Sequence, residues 1–144
     1  MLNQKAFGGN IAIKFDVKKV FNTLDWNFLI KVLSVFGYLS CKTGFFQGYP
    51  ISLLLFCLAE KVLSQEISLL IDSKALSPMG SSMKFPIPSH TLYANNILIF
   101  CRGTKINLTN LMNLFNDYAQ ASGQHINLEK CLFFLGDMAT RKVA

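Results

Sequence analysis

The chain has 144 residues, 51% of them hydrophobic and 15% charged, which fits one domain with a real core whose surface is short of charge and partly apolar, as in a piece of something larger. Its 14 Lys and Arg against 8 Asp and Glu give +6 and an isoelectric point near 9.3, a balance that suits a polyanionic partner, although only Lys14, Lys18 and Lys19 and the pair Arg141 and Lys142 are locally concentrated. The longest apolar run, Ile51 to Ala59, is far short of the ~20 residues of a membrane span. The start MLNQKAFGGN has no apolar signal core, so the expectation is no membrane and an intracellular, reducing compartment.

The stretch NIAIKFDV alternates, with Ile11, Ile13, Phe15 and Val17 on one face and Ala12, Lys14 and Asp16 on the other. This predicts a strand ended by Asp16 pointing away from the core. From Asp25, a candidate N-cap, Leu29, Val32, Leu33 and Phe36 recur at helical spacing up to a stop at Gly37. Pro50 can open a longer helix whose buried stripe is Leu55, Leu58, Ala59, Val62, Ile67 and Leu70, with apolar first turns expected to be buried all round. Residues 72–90 are rich in Ser, Pro and Gly and read as a loop, with a short strand near Met83 to Ile87.

In TLYANNILIF, two strand-forming runs flank Asn95 and Asn96, a pair suited to a two-residue hairpin turn. A third helix carries Leu108, Leu111, Met112, Phe115 and Tyr118 on one side, with a cap at Asn107 or Thr109 and an end at Gly123. The apolar end of INLEKCLFFLG predicts one more strand. Cys41, Cys57, Cys101 and Cys131 are too dispersed for a zinc site or a disulfide framework, so buried free thiols without a disulfide partner are expected. His90 and His125 match no base or metal pattern and receive no role.

In this order of elements, the blocks AIKFDVKKVFNTLDW, GFFQGYPISLLLFCLAE, LYANNILIF and SGQHINLEK resemble the reverse transcriptase domain of non-LTR (LINE-type) retrotransposons, of the kind abundant in plant genomes. In the first block the resemblance implies a catalytic aspartate at Asp16 and an aromatic beside the incoming nucleotide at Phe21. The second resembles R-Q-G-D-P-L-S-P-L-L-F and keeps Gln47, Gly48, Pro50 and Ser52, but has Phe46, Tyr49 and Leu53 where the family has Arg, Asp and Pro. The third stands where the family has Y-A-D-D in a β-hairpin, keeping Tyr93 and Ala94 but placing Asn95 and Asn96 at the aspartate positions. The fourth resembles G-x-x-I-N-x-x-K and ends in Lys130.

The implied fold is α+β: a palm-like small antiparallel sheet backed by helices, incomplete because fingers and thumb are expected to be missing and a helix and hairpin are expected to be deleted near 40–43. The implied chemistry is phosphoryl transfer from a nucleoside triphosphate onto a primer, with Mg2+ held by carboxylates and an RNA template and DNA primer as partners. Asp16 remains as a residual metal ligand, while Asn95 and Asn96 keep the size of the expected aspartates without their charge. The expectation is therefore a remnant of an RNA-directed DNA polymerase, catalytically inactive. The alternative is a non-enzymatic RNA- or DNA-binding or interaction module derived from that palm. Plainer readings stand beside these: a solvated acid for Asp16, core packing for Phe21, turn residues for Gln47 and Gly48, and a solvated lysine for Lys130.

Overall fold

The computed structural model describes residues 9–18, 24–35, 37, 49–80, 84 and 86–135, with the backbone alone over 49–53. Among them are four strands, β1 (Asn10–Asp16), β2 (His90–Tyr93), β3 (Asn96–Arg102) and β4 (Leu132–Leu135), three helices, α1 (Trp26–Val35), α2 (Tyr49–Asp72) and α3 (Lys105–Ser122), and a 3-10 turn, Leu128–Lys130. The strands form one antiparallel sheet in the order β2-β3-β1-β4. This is the α+β arrangement that the sequence predicts, a small antiparallel sheet backed by helices.

The alternation in β1 decides which face of the sheet is covered. Ile11, Ile13, Phe15 and Val17 are buried, as are Ile97, Ile99 and Cys101 from β3, and they form one core with Leu63 and Ile67 of α2 and Leu111, Phe115 and Tyr118 of α3. The Phe15 and Phe115 rings, 4.6 Å apart, join strand to helix. The opposite face, carried by Ala12, Lys14, Asp16, Asn96, Leu98, Phe100 and Arg102, has no fully buried residue.

The helix ends follow from local chemistry, with two corrections to the expected positions. Asp25 caps α1 by accepting the Phe28 N–H at 2.9 Å, and Gly37, at φ +79°, takes the left-handed conformation expected at the stop. The cap of α3 is Thr104 rather than Asn107 or Thr109: its side chain accepts the Asn107 N–H, which leaves the Asn107 amide free to reach out of the first turn. Gly123 ends this helix at φ 76°.

The first turns of α2 are not buried all round, since Leu54 is 60% exposed and Cys57 is exposed while Leu55, Phe56 and Ala59 are buried. The stripe therefore runs through Leu55, Phe56, Ala59, Leu63 and Ile67, and Leu58, Val62 and Leu70 lie only at its margin. Cys57, Cys101 and Cys131 are free, and only Cys101 of these is buried, which corrects the expectation of uniformly buried thiols. Of the strand expected near Met83 to Ile87, Met83 and Phe85 fall outside the described residues, while Lys84, Pro86 and Ile87 lie in no strand, which corrects that expectation; nearby, an isolated bridge joins Pro78 to Cys101.

Candidate active site

The end of β1 meets the β2–β3 hairpin through backbone pairing. Tyr93 pairs with Asn96, and Asn96 pairs in turn with Asp16, so the two-residue turn consists of Ala94 and Asn95. This corrects the expected turn by one residue: Asn96 already belongs to β3. Ala94 sits at φ 51°, a left-handed conformation that costs a residue with a Cβ ~1–2 kcal/mol. The turn is pinned onto β1 by the Val17 N–H, which donates to the Asn95 carbonyl at 2.8 Å.

That pinning brings side chains together. The Asn95 amide donates from Nδ2 to Asp16 Oδ1 at 2.9 Å, and the Asn96 amide donates to Asn95 Oδ1 at 3.3 Å. The result is a chain of N–H donors ending on one carboxylate. Turned the other way, Asn95 Oδ1 would set a partial negative charge against the carboxylate.

Two residues not singled out from the sequence complete the surroundings. The Asn127 N–H holds the Asp16 carbonyl at 2.7 Å, and the Cys131 thiol donates to the Asn127 carbonyl at 3.3 Å. Burial pushes the Cys131 pKa up, and the charge of Asp16 adds to that push against a lowering contribution from the Asp16 backbone. A signal for Asn127 was available, since it lies in the quoted SGQHINLEK block. Cys131 had none.

The other predicted site residues divide. Tyr93 is 78% exposed on the open face, in register with Asn96. Lys130 is exposed in the 3-10 turn, where its N–H donates to the Asn127 carbonyl, so backbone bonds link it to Asp16 through one residue. Phe21, Gln47 and Gly48 lie outside the described residues. A cleft of about 650 Å³ lined by Lys18, Phe115, His125 and Ile126 lies on the helical side and contains neither Asp16 nor the asparagines.

His90, given no role from the sequence, bridges α2 to the sheet: its ring nitrogens lie 2.6 Å from Ser64 Oγ and 2.8 Å from Ser89 Oγ. Burial lowers its pKa, which favours the neutral ring in this junction.

A strand-terminal acid facing the turn of a neighbouring hairpin, on a small antiparallel sheet backed by helices, is the arrangement of an α+β, polymerase palm-like fragment. A sequence model of the family described as Reverse transcriptase (RNA-dependent DNA polymerase) matches residues 2–143, and the chain belongs to that family.

Proposed function

We propose that this chain is a partial palm, spanning 1–144 and shortened near 40–43, from a LINE-type retroelement of the plant kind, with Asn95 and Asn96 in place of an aspartate pair, and that it no longer polymerises. RNA template and DNA primer are the partners of the ancestral reaction. In that reaction Asp16, positions 95 and 96 and Lys130 are the catalytic set, and Phe21, Gln47, Gly48 and Tyr93 contact the nucleotide.

The observation that carries this reading is the amide N–H on Asp16 Oδ1 at 2.9 Å. Two divalent cations need several anionic oxygens in one place. Among the described residues of this cluster Asp16 supplies the carboxylate, and one of its oxygens already accepts from an amide. Among the described residues no group of three or more His, Cys, Asp or Glu side chains could hold a metal. The donor set does not fit Mg2+. Losing even ~5 kcal/mol of charge stabilisation corresponds to several thousandfold in rate.

The test compares the chain with its Asn95→Asp, Asn96→Asp variant. The unaltered chain should incorporate no nucleotide on a primed RNA template, and Mg2+ should leave its thermal stability unchanged. In the variant, clustered carboxylates should lower stability without metal by about 1 kcal/mol and make it rise with Mg2+ or Mn2+. Calorimetry with and without metal reads both. Incorporation by the unaltered chain would overturn the loss of catalysis, and a variant as indifferent to metal as its parent would return the pair to ordinary hairpin residues.

A second reading, a nucleic-acid-binding module without catalysis, is favoured by the basic balance of the chain and by the uncovered face of the sheet.

A further inference from the structure

The open face of the sheet has a pattern that polymerisation does not require. Register places Phe100 of β3 and Phe134 of β4 on either side of Ala12 in β1. Adjacent strands lie ~4.8 Å apart, so the two rings stand ~10 Å apart over a floor made by one methyl group. Phe134 is 53% exposed and Phe100 is partly exposed. One row along, Lys14 lies between Leu98 and Leu132, and at the end of the sheet Arg102 lies opposite Asn10. Tyr93, 78% exposed, stands on the same face beside Asn96. Among the described strand residues of this face, Asp16 is the sole acid, and the Asn95 amide already covers one of its oxygens.

We propose that this face binds single-stranded nucleic acid by stacking unpaired bases on Phe100, Phe134 and Tyr93, with Lys14 and Arg102 on the phosphates, and that it does so without a metal ion. Rings exposed on a sheet can stack only on bases whose faces are free, which a duplex does not offer. The cations on the same face supply the charge complementarity that selects a polyanion over an apolar partner.

The metal independence rests on the reading of the turn as discharged. Three clustered carboxylates would repel phosphates unless divalent cations lay between. With Asn95 and Asn96 in place, cations outnumber acids on the face, and the backbone of a strand can approach unaided. The change that removes catalysis thus leaves a surface suited to plain binding.

Fluorescence anisotropy of the full chain with a labelled mixed-sequence single strand, in EDTA and in Mg2+, tests this. Binding is expected in EDTA, weaker in high salt, not strengthened by Mg2+, and at least about 10-fold tighter than for the same sequence as a duplex. Phe134→Ala should weaken it about 10-fold while Phe134→Tyr keeps it, with the urea unfolding curve of the Phe134→Ala variant matching its parent's so that loss of folding does not account for the difference. Lys14→Gln should weaken binding to all sequences and reduce the salt slope by about 1.

Equal affinity for single strand and duplex, or a Phe134→Ala variant that binds as its parent does, would reduce the interaction to charge alone and overturn the proposal. Photo-cross-linking of a bromouridine strand gives a second reading that needs no variant: adducts at Tyr93, Phe100 or Phe134 support it, and adducts confined to the helices overturn it. No binding by a chain indifferent to Mg2+ defeats this inference alone, whereas binding that requires Mg2+ defeats the discharged turn as well.

Discussion

Two polar clusters flank the core and behave as opposites. At the end of α3, the Tyr118 hydroxyl lies 3.2 Å from both the Ala59 carbonyl and Gln124 Oε1, and the Ser122 hydroxyl donates to the Tyr118 carbonyl while accepting the Gln124 N–H. All three side chains are buried, and their bonds join α2 to α3. At the C-terminal end of β1, the chain from Asn96 through Asn95 to Asp16 is open to water. A bond broken in the first cluster strands its partner in an apolar setting, whereas water replaces one lost in the second. The end of β1 that carries Asp16 is therefore the end that can change its side chains without unfolding the rest. That is the physical condition for a site to lose its charges while the fold persists.

The sharpest way to break this comparison is to delete one buried bond set and one exposed bond. Asn107, 2% exposed, donates to the Ser77 and Arg102 carbonyls at 3.2 and 2.8 Å and accepts the Ser77 N–H at 3.0 Å, tying the 77–80 loop to the start of α3. Replacing it in Asn107→Leu leaves these backbone groups unmatched, for a loss of about 3 kcal/mol and a melting temperature lower by about 10 °C. Asn95→Ala, which also removes a side-chain bond, should cost less than about 0.5 kcal/mol. Urea unfolding of both variants measures the contrast, and equal losses would abolish it.

Glu60 sharpens the same boundary from the helical side. It is half-buried on α2, and desolvation pushes its pKa up to about 7. Burial also raises the Tyr118 pKa, with a smaller upward push from the charge of Glu60. Between 4.5, the ordinary value, and about 7, the folded chain holds a proton that the unfolded chain has released. Stability should therefore fall as pH rises through that window. Glu60→Gln removes this slope and should raise stability above pH 7 by about 1 kcal/mol, after allowance for the solvent reaching a half-exposed group. Unfolding curves at pH 5 and pH 8 supply the check, and a slope retained in the variant would assign it to another group.

The elements were legible where a local signal sufficed. The alternation from Ile11 to Val17, the Asp25 cap and the Gly37 and Gly123 stops follow from backbone geometry and side-chain reach, and each stands where the sequence predicts it. What could not be read depends on partners distant in the chain. The turn moved by one residue because pairing of Asn96 with Asp16 fixes the register, and no signal within TLYANNILIF encodes that. The cap fell to Thr104 because Asn107 is recruited by Ser77 and Arg102. In β4, the strand that the apolar run predicts, Leu132, Phe133, Phe134 and Leu135 are each about half exposed, because this strand lies at the edge of the sheet beside β1. In the site, the meeting of Asp16 with Asn95 was legible only through the resemblance. Cys131 joined them through tertiary packing alone.

Ala94 gives the smallest effect and the finest test of how the turn is held. At φ 51° its methyl group opposes the backbone, a conformation that glycine adopts without that penalty. Ala94→Gly relieves ~1–2 kcal/mol of strain but frees the unfolded chain, a loss that offsets part of the gain. The net expectation is a stabilisation of about 0.5 kcal/mol. Because the Val17 N–H holds the Asn95 carbonyl at 2.8 Å, the turn should keep its place on β1, and the amide should stay on Asp16. Thermal unfolding reports the first expectation, and exchange protection of the Val17 N–H reports the second. Destabilisation with loss of that protection would mean that the Ala94 methyl group, rather than the pairing to β1, holds the turn over the acid.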